Sequence, residues 1–183
     1  MKKISRRARI ATGGVVLAAV AAGTFGAVSA SASAPTAAQA RPAAVKSSDT
    51  ITSTHLSIAA ATDAAEAVLE AAKKENQRVS VAVVDRNGNT LVTLRGDGAG
   101  PQSYESAIRK AFTAVSWNAP TSELAERLEQ TPNLKDIPGT LFLGGGAPVT
   151  ANNAPIAGIG VAGAPSGALD EKFAQAGVAE LAG

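Results

Sequence analysis

The sequence has no cysteine and only one histidine, His55, among its 183 residues. Without cysteine the chain forms no disulfide bond, offers no thiolate to a metal ion and has no cysteine nucleophile. A serine–histidine triad is disfavoured as well, because no serine lies in a Gly-x-Ser-x-Gly elbow. A closed zinc site would have to rely on carboxylates, which suit harder cations better. The fold must therefore be stabilised by packing, or by self-association, without covalent cross-links.

Aromatic residues make up only 3% of the sequence, so alanine, valine and leucine must fill the core. Phosphate-binding signatures are missing too. The glycines at 96–100 and 144–146 are not followed by Lys-Ser or Lys-Thr, and neither segment forms a full Gly-x-Gly-x-x-Gly fingerprint that joins a strand to a helix. Most of these glycines are therefore predicted to form turns.

A basic and then apolar segment opens the chain. Five basic residues lie between positions 2 and 9, and an apolar run rich in alanine and glycine follows from Ile10 to Val28. Ala-x-Ala cleavage options come next, so residues 1–34 are predicted to be an export signal that is removed from a secreted protein. The adjacent Arg6 and Arg7 fit a twin-arginine leader, and the Sec route stays open.

The charge of the chain changes once this leader is set aside. The whole sequence carries +2, but the 12 basic and 15 acidic residues beyond position 34 leave a net charge of −3. These basic residues form no cluster along the sequence, which argues against nucleic-acid binding. Residues 35–50 are small, polar and interrupted by proline, and are predicted to be a flexible tether. Residues 51–183 are predicted to form one domain.

Hydrophobic periodicity predicts the first half of this domain. Apolar residues recur at helical spacing from Thr54 to about Asn76 and predict a long helix with a narrow alanine face. Such a face suits close approach to a sheet or to a second copy of the helix. Alternating β-branched residues then flank Asp85-Arg86-Asn87-Gly88 and predict a β-hairpin.

The second half is predicted from caps and breakers. Ser103 and Thr121 can each cap a helix, and Ser166 can cap a last one. Between them, "TLFLGGG" (140–146) and "PIAGIGVAGA" (155–164) are predicted strands separated by the turn-rich "APVTANNA". The resulting order, αββααββα, indicates the α/β class in its α+β form, with an antiparallel sheet covered by helices.

Paired acids on one helical face are the first candidate ligands. Asp63 and Glu66 are three residues apart, as are Glu123, Glu126 and Glu129. Such pairs usually form a solvated face, but an i,i+3 pair can also chelate iron or calcium weakly at a surface. Asp63 and Glu66 interrupt an otherwise alanine-rich helix, so they are the better candidates for a metal site.

Side-chain types also allow a flat, largely apolar cofactor such as haem. His55 is the obvious iron ligand by type, although it lies at a helix start beside the tether. The helix that follows the hairpin supplies residues able to meet an apolar ring and its propionates: Tyr104, Arg109, Lys110, Phe112 and Thr113.

Several blocks in order carry a family resemblance. "VSVAVVDRNGNTLVTLRGDGAGPQSYESAIRKAFTAVSW", "IPGTLFLGGGAPV" and "APIAGIGVAGAPSGALDEKFAQAG" resemble the GlcG/HbpS family over about residues 54–181. The resemblance implies a profilin-like fold, a homo-oligomer (an octamer), binding of haem and iron ions, haem degradation, and redox communication with a membrane-bound sensor histidine kinase.

The resemblance also implies site residues. The family's iron motif falls on Asp63 and Glu66, and its haem-contacting helix on the block 110–114, with Thr113 as a candidate iron ligand and His55 as its competitor. Another tetrapyrrole, such as a corrinoid, stays open as the alternative ligand of a binding module without a sensor or enzymatic role.

Overall fold

The computed structural model describes residues 43–183. The predicted export signal and residues 35–42 of the predicted tether lie outside this range. The rest of the tether, residues 43–50, is exposed and contains one 3-10 turn at Ser47–Asp49. Within residues 43–183, no helix has the length and apolar character needed to cross a bilayer.

The α-helices and strands of the described range follow the predicted order, αββααββα. They are α1 (Ile58–Lys74), β1 (Ser80–Asp85), β2 (Thr90–Arg95), α2 (Pro101–Trp117), α3 (Thr121–Glu126), β3 (Gly146–Ala151), β4 (Ala154–Ala162) and α4 (Gly167–Glu180). Short 3-10 helices at Arg127–Glu129 and Pro132–Asp136 follow α3.

The strands form one antiparallel sheet in the order β2-β1-β4-β3. Successive side chains of a strand point to opposite faces. Val81 and Val83 of β1 therefore pack with α1 and α4 in the larger core cluster, whereas Ala82 and Val84 pack against α2. The predicted fold class is confirmed, and the sheet separates α2 from α1 and α4.

The alanine face of α1 is covered within the chain. Ala61, Ala64, Ala65, Val68 and Ala72 are buried, and they share a core cluster with the sheet and α4. Of the two uses considered for this face, packing on the sheet is the one observed.

Glycines in β4 let α2 lie close to the sheet. A Cβ at Gly158 would collide with the Ala111 carbonyl, and one at Gly160 would collide with the Ala107 carbonyl and the Ala111 amide. Glycine usually weakens a strand, but it also allows close backbone approach. Here it brings the helix backbone against the strand.

The predicted position of β3 was wrong. The strand is residues 146–151, most of which had been predicted as a turn, while "TLFLGGG" contains no strand until its last residue. Gly145 has φ 126°, which stops an extended strand before Gly146. The turn is only Asn152-Asn153, with φ of 51° and 61°, and Pro148 is tolerated because β3 lies at the sheet edge.

Two of the predicted caps were also wrong. Helix α2 begins at Pro101, and the Ser103 hydroxyl donates to the Gly100 carbonyl (2.6 Å) while bonding Ser80 Oγ (2.8 Å). Proline starts a helix readily because the first turn needs no amide donor. Thr121 begins α3 without capping it, and its hydroxyl accepts from the Gly146 amide (2.7 Å).

The cap at Ser166 is confirmed, because its hydroxyl accepts from the Leu169 amide. The hairpin is confirmed as well. The Asp85 amide donates to the Asn89 carbonyl (2.8 Å), and Gly88 takes the φ of 87° that closes the turn.

Candidate functional site

Helix α2 carries every residue predicted to contact haem except His55, and it divides them between two sides. Lys110 and Thr113 lie on the side that faces the protein interior. Tyr104 and Arg109 lie on the solvent side, and Phe112 is half-buried between them and the hairpin turn. The predicted set therefore does not form one surface.

Lys110 is part of a buried ion pair. Its Nζ donates to Asp170 Oδ2 (2.8 Å) and to the Val161 carbonyl (2.9 Å), and both charged side chains are only 5% exposed. Burial raises the pKa of Asp170, although the hydrogen bond and positive charge of Lys110 act in the opposite direction. Lys110 thus joins α2 to the start of α4, and its buried ammonium is not exposed to a ligand at the surface.

Thr113 is fully buried and makes two hydrogen bonds. Its hydroxyl donates to the Arg109 carbonyl (2.8 Å) and accepts from the Leu141 amide (2.8 Å). It holds the segment that precedes β3 against α2. In this arrangement the Thr113 oxygen does not reach a ligand at the surface.

The solvent side of α2 combines apolar and charged groups. Tyr104 is 43% exposed, and the Arg109 side chain is 47% exposed with Nε 3.8 Å from Glu105. Ile108 and Phe112 are half-buried beside them and contact the small core cluster under α2. A flat apolar ligand with acidic groups could contact this side through Tyr104 and Ile108 and meet Arg109 with its acid.

A buried hydroxyl lies on the face of the sheet that α2 covers. Thr93 of β2 is paired with Ala82, which packs against α2. Within residues 43–183, Thr93 Oγ1 is a buried side-chain atom without a hydrogen-bond partner. Such atoms are rare because an unmade hydrogen bond costs stability.

His55 lies outside the helices but near the hairpin turn. Its ring nitrogen bonds Ser53 Oγ (2.7 Å), and the residue is exposed. Asp85 stands at the base of this turn and accepts hydrogen bonds from the Asn87 and Asn89 amides, both 2.8 Å long. Partial burial raises the pKa of Asp85, but these bonds and the nearby charge of His55 outweigh it and lower that pKa.

Phe112 approaches the same turn from α2. A Cβ on Gly88 would come within 2.8 Å of the Phe112 ring. Phe112 therefore lies against the β1–β2 turn, and the charge of His55 acts on Asp85 at the base of that turn.

Asp63 and Glu66 are exposed on α1, opposite its buried alanine face. The spacing of three residues places them on one side of the helix, as predicted. Among the described residues, no group of three or more histidine, cysteine or acidic side chains is arranged to hold a metal ion. A metal bound by this pair would need its remaining ligands from water or from another chain.

One cavity was not predicted from the sequence. A cavity of about 560 Å³ opens where α1 ends, β1 begins and β2 ends; we call it the α1–β2 cavity. It is lined by Leu69, Ala72, Lys73, Asn76, Gln77, Arg78, Val79, Arg95, Gly96 and Asp97. Its three cationic residues come from α1, from the loop between α1 and β1, and from β2, so no run of basic residues marks them in the sequence.

These elements define a small α+β protein with a helix-covered, four-stranded antiparallel sheet, and solved structures share it. A crystal structure of HbpS is 73% identical, with a TM-score of 0.75 over 76% of this chain and 99% of that chain. A Streptomyces reticuli HbpS double mutant, with two glutamates three positions apart replaced by aspartate, is 72% identical, with a TM-score of 0.77 over 78% of this chain and 97% of that chain. A PduOC:heme complex is 28% identical, with a TM-score of 0.64 over 69% of this chain and 95% of that chain.

The sequence comparison agrees. The family described as haem degrading protein HbpS-like matches residues 56–179, and the chain belongs to this HbpS-like family. An uncharacterized 15.0 kDa protein of Citrobacter freundii, from the dhaT-dhaS intergenic region, is 34% identical over 113 residues, which cover 59% of this chain and 80% of that protein. The predicted family resemblance is confirmed.

Proposed function

We propose that this protein binds haem on the solvent side of α2. The observation that carries the proposal is membership of the HbpS-like family. A relative solved as a haem complex supports it, because this chain aligns with 95% of that relative's chain. The family and this complex also support a haem- or tetrapyrrole-related function in general. The specific surface is inferred from the residues that α2 leaves exposed.

The residues of this surface suit haem by chemical type. Haem iron takes nitrogen or oxygen ligands, among them histidine and tyrosine. The exposed phenol of Tyr104 is such a donor on α2, and His55 is another beside the hairpin turn. Arg109 can pair with a propionate, and Ile108 and Phe112 supply apolar contact. Lys110 and Thr113 contribute indirectly, because their buried hydrogen bonds fix the position of α2.

The test is a hemin titration of the chain without residues 1–34. We expect a Soret band distinct from that of free hemin, and a weaker affinity for Arg109→Gln. Arg127→Gln is the matched control, because it also removes an exposed arginine but lies beyond α3. A spectrum identical to free or aggregated hemin would refute the proposal.

The iron ligand is tested by the same spectrum in His55→Ala, Tyr104→Phe and Thr113→Ala. The variant that changes the band position identifies the ligand. We expect Thr113→Ala to leave the band position unchanged, because the Thr113 oxygen is buried and already bonded. Displacement of hemin by cobalamin would instead favour a corrinoid as the ligand.

We propose haem degradation as a second function, because the matching family is described as haem degrading. Bound haem supplies the reactive iron, and the protein supplies the pocket and the orientation. Incubation of the haem complex with peroxide or a reductant should release iron faster than a protein-free hemin control. Loss of haem at the control rate would leave a binder without this activity.

We propose a separate iron-binding surface at Asp63 and Glu66. Both carboxylates are exposed and share one side of α1, and the HbpS double mutant alters a pair of acids at the same spacing. Replacing both by alanine should lower ferrous or ferric iron uptake and leave the Soret band unchanged. Glu123→Ala with Glu126→Ala is the matched control, since it removes an i,i+3 pair from α3. Equal iron uptake by both double variants would mean that Asp63 and Glu66 form an ordinary solvated face and not an iron site.

We further propose that the protein is secreted and acts as an octameric accessory sensor of haem and redox state for a membrane-bound histidine kinase. The leader in residues 1–34 and the family resemblance support this. A monomeric mass in light scattering would refute the octamer, and kinase autophosphorylation unaffected by the haem-loaded protein would refute the sensor role.

A further inference from the structure

The α1–β2 cavity has the size and one wall of a small-molecule site. Its volume of about 560 Å³ lies in the range of ligand pockets. The apolar wall of the cavity is Leu69 with the aliphatic stems of Lys73, Arg78 and Arg95, because Ala72 and Val79 are each only 1% exposed and offer a ligand almost no surface. An apolar ligand body placed there would lose contact with water.

The charged lining of the cavity is not neutralised. Lys73, Arg78 and Arg95 face the cavity with a single acid, Asp97, which leaves a net charge of +2 in its wall. Among residues 43–183, none of these four side chains takes part in an ion pair. Unpaired cations around a concave site attract anions.

The turn after β2 positions both guanidinium groups. Arg95 donates through Nε and Nη2 to the Ala99 carbonyl, at 3.2 and 2.6 Å. The Arg78 side chain lies against Gly98, where an added Cβ would come within 3.0 Å of Arg78 Cδ. Gly98 also has φ of 77°. Glycine suits this position because it adopts the left-handed backbone and leaves room for the Arg78 side chain. Arg95 is therefore held by hydrogen bonds before any ligand arrives, and Arg78 lies beside it against the same turn.

We propose that the α1–β2 cavity binds a small organic dicarboxylate with an apolar body. Two carboxylates balance the net charge of the wall, and guanidinium groups bind carboxylates through paired hydrogen bonds. The apolar wall favours a ligand with a hydrocarbon segment over inorganic phosphate. The solvent side of α2, proposed to bind haem, contributes no residue to this cavity.

The test is a titration of the isotope-labelled protein with decanedioate, followed by ¹H–¹⁵N spectra. We expect the amide signals of residues 72–79 and 95–98 to shift. Arg78→Gln and Lys73→Gln should each weaken binding roughly tenfold, because each removes one charge-assisted contact. Arg86→Gln and Lys74→Gln are matched controls, since they remove exposed charges outside the cavity and should bind as the parent does.

Titrations with decanoate and with inorganic phosphate test separately the need for a second carboxylate and the need for an apolar body. Weaker binding of both than of decanedioate is expected, because one lacks the second carboxylate and the other the apolar body. Equal binding of phosphate, or equal affinity of Arg78→Gln and Arg86→Gln, would overturn the proposal. Displacement of decanedioate by hemin would overturn the separation of the two sites. The amide signals need no haem, so a failed Soret test leaves this result unaffected.

Discussion

The two sides of α2 carry similar chemistry and use it in opposite ways. On the inner side, Lys110 and Thr113 are hydrogen-bonded to protein partners and have almost no exposed surface. On the outer side, Tyr104 and Arg109 are nearly half exposed, and the nearest charge to Arg109 is a loose i,i+4 contact with Glu105. The inner residues hold α2 in place, and the outer residues remain available to a ligand.

This difference shows that side-chain type alone does not identify a ligand contact. Lysine and threonine both occur in binding sites, but here the same groups satisfy the backbone of β4 and of the segment before β3. A buried polar group must find its partner inside the protein, because water is not available to it. Changes on the inner side should therefore affect stability first, and changes on the outer side should affect binding first.

The largest effect is expected from breaking the buried pair. Lys110→Met leaves the Asp170 carboxylate buried without its cation, and removing one partner of such a pair costs about 3–5 kcal/mol. The free energy of unfolding, measured by urea titration with circular dichroism, should fall by this amount. Lys110→Met with Asp170→Leu should recover much of the loss, because no unpaired charge remains.

The exposed ion pair between Lys172 and Glu75 is the matched control. Its atoms are 2.6 Å apart, yet the Lys172 side chain is 64% exposed. Lys172→Met should therefore cost less than about 1 kcal/mol. Equal losses for the two lysine variants would mean that burial does not distinguish them, and the contrast between the two sides of α2 would fail.

A smaller effect is expected at Thr113. Thr113→Val keeps the shape of the side chain but leaves the Leu141 amide without its acceptor, which should cost about 1–3 kcal/mol. Hydrogen exchange of the Leu141 amide should become faster in this variant. Thr113→Ser keeps the acceptor and should keep that amide protected. Unchanged exchange in Thr113→Val would show that the bond to Leu141 contributes nothing.

The sequence predicted the order of elements because local signals determined it. The alanine spacing of α1, the turn at Asn87-Gly88 and the cap at Ser166 each act within a few residues. The position of β3 failed because "TLFLGGG" looks more like a strand than "GAPVTA" on residue types alone. Pairing with β4 and the φ of Gly145 decide the matter, and both depend on distant parts of the chain.

The site was predictable in part for the same reason. Helical spacing placed Asp63 and Glu66 together, and it also showed which residues share α2. It did not show which side of α2 faces the sheet, because that depends on the glycines of β4 at 158 and 160. The α1–β2 cavity was not predictable, since Lys73, Arg78 and Arg95 are brought together only by the hairpin and the end of α1.

The stability that the charge of Asp85 contributes at the hairpin turn should be lost only in acid. Hydrogen bonds from Asn89 and Asn87 outweigh partial burial and lower the pKa of Asp85 in the folded state. The stabilisation is therefore complete above the usual aspartate pKa of about 3.9 and is lost as the pH falls through the lowered value. Asp85→Asn keeps an oxygen acceptor but does not titrate, so its stability should decline less than that of the parent as the pH falls below about 4. Parallel decline of the two proteins would contradict a stabilising charge at Asp85.

The smallest change in stability is expected on the outer side of α2, where Tyr104→Phe and Arg109→Gln remove only exposed polar groups. Each should alter the free energy of unfolding by no more than about 0.5 kcal/mol, as is usual for surface substitutions. Hemin affinity should nevertheless fall roughly tenfold in Arg109→Gln, since a charge-assisted contact to a propionate is lost. Urea titration and hemin titration of the same samples separate the two effects. A loss of stability as large as that of Thr113→Val, with hemin affinity unchanged, would make the outer side structural as well and remove the distinction between the two sides.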